Sequence, residues 1–157
     1  MTQAELIEFL NKTRDECSYE MLGSIPKRTL SDGTEVIGPH TDGKFTYEDR
    51  YKGSDWFKGR EEVKVEDKVV WYRGYEGGIT TDTGRKQMKV LYDFLKAALR
   101  ACPEDLPFRR GPKCFVQDNF EYEDTCEGDI TNFKGREKIL FLGEEIYYLN
   151  YEGASPS

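Results

Sequence analysis

Two segments of the chain place apolar residues three or four positions apart. The first contains Phe9, Leu10, Thr13 and Cys17, and the second contains Val90, Leu91, Phe94, Leu95, Ala98 and Leu99. This spacing puts the side chains on one face of a helix. Asp82 or Thr83 can cap the second helix, and Pro103 lies just beyond its end. The pattern therefore predicts two amphipathic helices.

Six other segments alternate apolar and polar residues and predict strands. They are FTYEDRY (45–51), REEVKV (60–65), VVWYRGYEG (69–77), FEYEDTC (120–126), EKILF (137–141) and EIYYLNYEG (145–153). The letters EDK and LGEE supply hairpin turns between the last two strands of each group. The order α-β-β-β, repeated once, predicts an α+β fold with an antiparallel sheet of about six strands and two main helices on one face.

The same five letters, FKGRE, stand at 57–61 and again at 133–137. Laid over each other, residues 57–77 and 133–153 agree at nine of 21 positions, and similarity continues upstream through FTYEDRYKG and FEYEDTCEG. This pattern is typical of an internal duplication. We expect one domain, residues 1–153, built from repeats at about 4–79 and 84–153 and related by a pseudo-two-fold axis, with 154–157 as a flexible tail. The first repeat carries about ten extra residues within TLSDGTEVIGPHTDG (29–43).

The composition argues against some classes of binding partner. The net charge of −7 argues against nucleic acid and against an anionic membrane, because both are bound through Lys and Arg. The sequence shows no signal peptide and no apolar run long enough to span a bilayer. The cysteines form no C-x-x-C pair and His40 is the only histidine, so we expect neither metal nor cofactor, and a cytoplasmic protein with reduced, buried thiols at Cys17, Cys102, Cys114 and Cys126.

Four stretches, WYRGYEGG (71–78), LYDFLKAALR (91–100), PFRRGPK (107–113) and YYLNYEG (147–153), resemble a family of small bacterial domains of unknown function. Members of that family occur alone or fused behind helix-turn-helix DNA-binding domains. The resemblance implies no catalytic residues, and the fusions imply a ligand-sensing module. No helix-turn-helix segment is recognised in this chain.

A set of doubled residues is the first candidate for a site. It comprises Tyr47/Tyr122, Asp49/Asp124, Arg60/Arg136, Glu61/Glu137 and Tyr75/Tyr151. Arginine offers forked donors and can stack on a flat ring, so a cleft between the repeats could hold a planar, anionic ligand. The alternative is that these residues form cross-strand ion pairs that hold the sheet together.

Two basic loops are further candidates. GGITTDTGRK (77–86) enters a helix with Arg85 and Lys86, and helix N-termini attract anions. PFRRGPK places Arg109 and Arg110 in an otherwise acidic chain. The alternatives are a capped turn for the first loop and a solvated loop that neutralises nearby acids for the second.

No catalytic constellation is recognised, and adjacent carboxylates on a strand point to opposite faces. Our leading hypothesis is therefore a non-enzymatic domain that senses or sequesters a planar, nucleotide-like anion. The expected contacts are Arg60, Trp71, Tyr75, Arg136 and Tyr151, with Arg85, Lys86, Arg109 and Arg110 as anion anchors. One alternative is an acidic protein-interaction module such as an inhibitor or antitoxin, and another is a carboxylate-dependent hydrolase. Edge strands could also pair between chains in a homo-oligomer.

Overall fold

The computed structural model describes residues 1–16 and 25–156. The helices within these ranges are α1 (Gln3–Glu16), α2 (Asp82–Lys86) and α3 (Met88–Arg100). The strands described there are β1 (Lys27–Thr29), β2 (Glu35–Asp42), β3 (Phe45–Gly53), β4 (Trp56–Val65), β5 (Lys68–Ile79), β6 (Cys114–Gln117), β7 (Phe120–Asp129), β8 (Asn132–Phe141) and β9 (Glu144–Ala154).

All nine of these strands form one antiparallel sheet in the order β1-β2-β3-β4-β5-β9-β8-β7-β6. Hairpins join successive strands within each half, and β5 pairs with β9 where the halves meet. We call α1 with β1–β5 the first half and α3 with β6–β9 the second half. The predicted α+β class was wrong, since the molecule is mainly one nine-stranded sheet and not a six-stranded sheet with two helices on one face.

The strands missing from the prediction explain this error. The six predicted segments lie within β3, β4, β5, β7, β8 and β9. The presumed insertion contains β2, whose alternation is interrupted by a register shift between Ile37 and His40. His40, the single histidine, thus lies on a strand. The strands β1 and β6 have only three and four residues, mostly exposed, so no buried face marks them in the sequence.

One hydrophobic core lies against the sheet face that we call the inner face. Apolar side chains of α1 (Leu6, Phe9 and Leu10) and of α3 (Leu91, Phe94 and Leu95) enter the same buried cluster as Val63, Trp71 and Ile139 of the strands. Alternation along each strand sends the intervening side chains to the opposite, outer face, which is largely exposed. Functional groups on neighbouring positions of a strand are therefore separated by the sheet itself.

The second predicted helix is divided in two. Thr81 caps α2 by accepting a hydrogen bond from the Gly84 amide, so the cap is neither Asp82 nor Thr83. Gly84 is tightly enclosed, because a Cβ there would lie 2.6 Å from Ile79 and 2.9 Å from the backbone of Ile146. The contact fixes α2 at the end of β5.

Among the described cysteines, Cys102 is buried, Cys126 is half-buried and Cys114 is exposed, and all three are free thiols. The prediction for Cys17 lies outside the described residues. No helix in the described part of the chain has the length and apolar character needed to cross a bilayer.

Candidate functional site

The repeated FKGRE motif is divided between the two faces of the sheet. In β4, Glu61 is buried on the inner face, while Lys58 and Arg60 are exposed on the outer face. In β8, Glu137 and the Lys134/Arg136 pair follow the same division. The doubled set that the sequence suggested as one cleft is therefore two separate layers: tyrosines and carboxylates inside, arginines outside.

Buried glutamates organise the inner layer. Glu61 accepts hydrogen bonds from the Tyr47 hydroxyl (2.8 Å) and from Nε of Arg73 (2.6 Å). Glu137, which is fully buried, accepts from Tyr122 (2.8 Å), Tyr147 (2.7 Å) and both Nε and an Nη of Arg110 (3.1 Å each). Each carboxylate thus has a guanidinium and at least one phenol as partners, an arrangement that compensates its burial.

Asp49 lies directly opposite Glu61 in the sheet register, and Asp124 lies directly opposite Glu137. Burial and the neighbouring glutamate raise the pKa of Asp124 to about 6. The same two causes raise the pKa of Asp49 well above its ordinary value. Tyr75 donates to Asp49 (2.7 Å) and Tyr151 to Asp124 (2.9 Å), so both pairs keep a hydrogen bond whichever form the aspartate takes.

The basic segment 107–113 crosses the inner layer. Arg110 pairs with Glu137, and Arg109 lies 3.5 Å from the Asp124 carboxylate and donates to its backbone carbonyl (2.8 Å). Both arginines are only 7% exposed. Arg73 also donates to the carbonyls of Phe108 and Arg109. The arginines predicted to be anion anchors are thus counter-ions of the protein's own buried acids.

The glycine of the repeated motif makes room for a tyrosine. Gly59 pairs with Tyr75 in the register, and Gly135 pairs with Tyr151. A Cβ on either glycine would collide with the tyrosine ring opposite. Because the ring lies over the glycine backbone, the hydroxyl reaches the aspartate one strand further on. The Gly–Tyr–Asp arrangement therefore explains why the motif contains glycine.

The outer face forms a concave region of about 1040 Å³ across the seam between the halves. Two rows of paired residues cross it. One row runs Arg60–Gly74–Glu152–Lys134, and the other runs Lys58–Glu76–Asn150–Arg136. Each row has a cation at both ends, one from each copy of FKGRE. We call this surface, defined by the two rows with Gly59 and Gly135, the outer concavity.

The guanidinium groups of the two arginines of the outer concavity lie over tyrosine rings. The guanidinium of Arg60 lies 4.0 Å from the ring centre of Tyr72, and that of Arg136 lies 4.5 Å from the ring centre of Tyr148. Arg60 also pairs with Glu62 (2.9 Å), while Arg136 pairs with Glu145 (3.1 Å). Stacking on a ring restricts the guanidinium while leaving N–H groups at its edge for a further acceptor.

The charge of this surface differs from that of the whole chain. Five cations and four carboxylates line the concavity, whereas the chain carries 23 basic and 30 acidic residues. Lys58 and Lys134, which sequence reasoning overlooked, contribute two of these cations. Their signal was present, since both stand two positions before a predicted arginine, and residues two apart on a strand share a face.

The remaining predicted contacts lie elsewhere. Trp71 belongs to the hydrophobic core and is 1% exposed. Arg85 pairs with Asp82 on α2, and Lys86 ends that helix. Tyr75 and Tyr151 are buried but also line the concavity beside Arg60 and Arg136. No three His, Cys, Asp or Glu side chains are grouped as a metal site within the described residues.

Comparisons with known proteins agree with the predicted resemblance to a family of domains of unknown function. Neither a curated protein nor a solved structure matches the chain. A family model described as a domain of unknown function (DUF5680) matches residues 49–155. That range runs from the middle of β3 past β9 and includes both FKGRE motifs, the basic segment and the whole outer concavity. The chain therefore belongs to the DUF5680 family.

Proposed function

We propose that the protein is a non-enzymatic binding domain that holds a small anionic ligand in the outer concavity. The observation that carries this proposal is the meeting of Lys58, Arg60, Lys134 and Arg136 around one depression, although they come from strands on both sides of the seam. A ligand with anionic groups would pair with these side chains through charge-assisted hydrogen bonds. Both arginines are already oriented by tyrosine rings, which lowers the entropy lost on binding.

The other groups of the concavity narrow the class of ligand. Gly74, in the row of Arg60, leaves part of its floor without a side chain, so a flat ring can approach the backbone closely there. Glu76 and Glu152 stand between the cations and accept hydrogen bonds. A suitable ligand therefore combines anionic groups with N–H or O–H donors on a planar body. Nucleotides and related metabolites have these features.

The wider interpretation belongs to the same proposal. We attribute the matched layout of the two halves to duplication of one unit, which would give the ligand site its pseudo-symmetry. Release or retention of the ligand would let the domain act as a sensor, including for a helix-turn-helix partner domain in fused relatives, or as a sequestering protein. In the two rows of the concavity the acids Glu76 and Glu152 stand between cations and do not form a continuous acidic patch, which favours a ligand site over an acidic protein-interaction surface. The buried carboxylates are all hydrogen-bonded to tyrosine or arginine, which favours a structural role over hydrolysis.

Equilibrium binding of a panel of nucleoside mono-, di- and triphosphates, measured by isothermal titration calorimetry, tests the proposal. We expect one panel member to bind and the Arg60→Ala/Arg136→Ala variant to bind it at least about tenfold more weakly, since each arginine supplies charged hydrogen bonds. Arg85→Ala is the matched control, because Arg85 is also an exposed, ion-paired arginine but lies on α2.

Two outcomes contradict the proposal. One is a panel in which no member binds in the millimolar range. The other is binding that survives in the double variant at the affinity of the parent protein, which would move the site away from the outer concavity.

A further inference from the structure

A separate, enclosed cavity lies on the inner face of the first half. Its volume is about 20 Å³, and it sits between α1, β5 and the basic segment 107–113. The polar residues lining it include Thr13, Arg14, Trp71, Arg73, Arg109 and Arg110. A space of this size accommodates one water molecule or an anion of similar dimensions. It is distinct from the outer concavity, which lies on the other side of the sheet.

Two hydrogen-bonding groups in this lining have no partner. Nε1 of Trp71 and Oγ1 of Thr13 are buried without a hydrogen bond to any described residue. Their residues are 1% and 3% exposed. A buried polar group without a partner destabilises a protein, so such groups in a folded domain indicate a bound water or ligand. The indole N–H can only donate, and the occupant must therefore offer an acceptor to Trp71.

The second half shows that the fold does not need a polar lining at this place. The repeat aligns Thr13 with Ala98, Arg14 with Leu99, Trp71 with Tyr147 and Arg73 with Leu149. All four second-half residues are at most 1% exposed. Tyr147, the one polar member, donates its hydroxyl to Glu137. The same packing position is apolar and satisfied in one half, and polar with two unpaired groups in the other.

We propose that the cavity beside Trp71 and Thr13 is a binding site for a monatomic anion, a halide. Four arginines and a single carboxylate, Glu61, contribute to its lining. The Glu61 oxygens already accept from Tyr47 and Arg73. The side chains of the lining therefore carry more hydrogen-bond donors than acceptors. An anion accepts from the indole N–H and the Thr13 hydroxyl together, beside guanidinium groups of which three also pair with buried acids: Arg73 with Glu61, Arg109 with Asp124 and Arg110 with Glu137.

Bromide is a direct probe, because a heavy ion in contact with an indole quenches its fluorescence. The chain has two tryptophans, and Trp56 is 41% exposed. Trp56→Phe therefore leaves Trp71 as the sole tryptophan, which is excited at a wavelength that tyrosine does not absorb. In this background, bromide added at constant ionic strength against gluconate should quench Trp71 with a saturable curve, and chloride should shift that curve to higher bromide concentration. Thr13→Val, which removes the hydroxyl and keeps the shape, should weaken binding about tenfold.

The control is Thr125→Val, on the exposed outer face, which should leave the curve unchanged. Each variant is checked for its thermal unfolding midpoint, so that a loss of fold is not mistaken for a loss of binding. A linear, weak response to bromide in the folded parent overturns the proposal and assigns the cavity to water. Saturable quenching that Thr13→Val does not alter overturns it equally, because the ion then lies elsewhere.

Discussion

The two halves of the molecule build the same buried network from different residues. In both, a tyrosine and an arginine hold a glutamate, and a second tyrosine lies over a glycine to reach an aspartate. The arginine of the first half is Arg73, on the adjacent strand β5, whereas that of the second half is Arg110, from the basic segment. The network therefore depends on tyrosine, glycine and carboxylate residues at fixed positions in the strand register, whereas the arginine can come from a strand or from a loop.

The different origin of the arginine in the two halves has a structural consequence. Because Leu149 occupies the second-half position of Arg73, the second half closes with apolar packing and receives its cation from outside the sheet. The first half keeps the cation on the strand and leaves a cavity beside it. The basic segment bonds with both halves, through Glu137 and through Arg73. It thereby joins them across the inner face, as β5 and β9 join them within the sheet.

The largest effect should come from removing the central carboxylates. Glu137→Ala leaves four donated hydrogen bonds without an acceptor, and Glu61→Ala leaves three. Removing one partner of a buried ion pair destabilises by about 3–5 kcal/mol. We therefore expect both changes to lower the free energy of unfolding in urea, with the greater loss at Glu137. Glutamine at each position keeps the shape and serves as the control. A greater loss at Glu61 would contradict the comparison.

The second-largest loss of stability should come from substituting the glycines of the repeated motif. Gly59→Ala and Gly135→Ala each place a methyl group against a buried tyrosine ring, and overpacking of this kind destabilises by about 1–3 kcal/mol. Gly74→Ala is the matched control on the same sheet, since the nearest atom to its Cβ would lie 3.9 Å away. It should be neutral or slightly stabilising. Denaturant unfolding of the three variants decides the matter, and equal effects at all three positions would sink the Gly–Tyr explanation.

Long alternating segments made much of the sheet predictable from sequence. The six segments found in this way lie in strands of nine or more residues, which are long enough for the alternation to repeat several times. The missed strands lack that signal. The strands β1 and β6 are short, and Gly38 and Pro39 interrupt the alternation of β2. Pairing of β1 with β2, of β2 with β3 and of β6 with β7, and not local pattern, makes these segments extended.

The candidate site was predictable only in part. The period of two places Arg60 and Glu61 on opposite faces, and applying it strictly would have separated the two layers and added Lys58. The buried role of Arg109 and Arg110 had no such signal. Their environment depends on how the basic segment crosses the sheet, which residues distant in sequence determine. The cavity beside Trp71 likewise depends on the packing of α1 against β5 and the basic segment.

The pH dependence of stability should distinguish the two aspartates. The pKa of Asp124 is raised to about 6 from an ordinary 3.8, so the folded state binds an extra proton between these values. The free energy of unfolding should therefore rise as pH falls through about 6, by about 3 kcal/mol in all, and the increment should level off below the ordinary pKa of 3.8. Asp124→Asn should flatten this part of the profile.

Asp49 should act with the same sign, because burial and Glu61 raise its pKa well above the ordinary value, whereas Arg109 pairs with Asp124. Denaturant unfolding from pH 4 to 9 for the parent, Asp124→Asn and Asp49→Asn gives the two difference curves. Identical curves would show that the basic segment does not distinguish the halves electrostatically.

The smallest effects should come from the outer arginines. Arg60 and Arg136 are half exposed, and exposed ion pairs and cation–π contacts each contribute about 0.2–1 kcal/mol. Arg60→Ala and Arg136→Ala should therefore reduce the free energy of unfolding by less than about 1 kcal/mol each, and nearly equally.

Double-mutant cycles with Tyr72→Leu and Tyr148→Leu measure each stacking contact by itself. The Tyr148 ring also packs against Trp56, with ring centres 5.6 Å apart, so the single Tyr148 variant should destabilise more than the Tyr72 variant. The coupling energies should still match, because the arginine stacks on one ring in each half. Coupling in only one half would mean that the concavity has a single oriented arginine, and the ligand site would then lie to one side of the seam instead of across it.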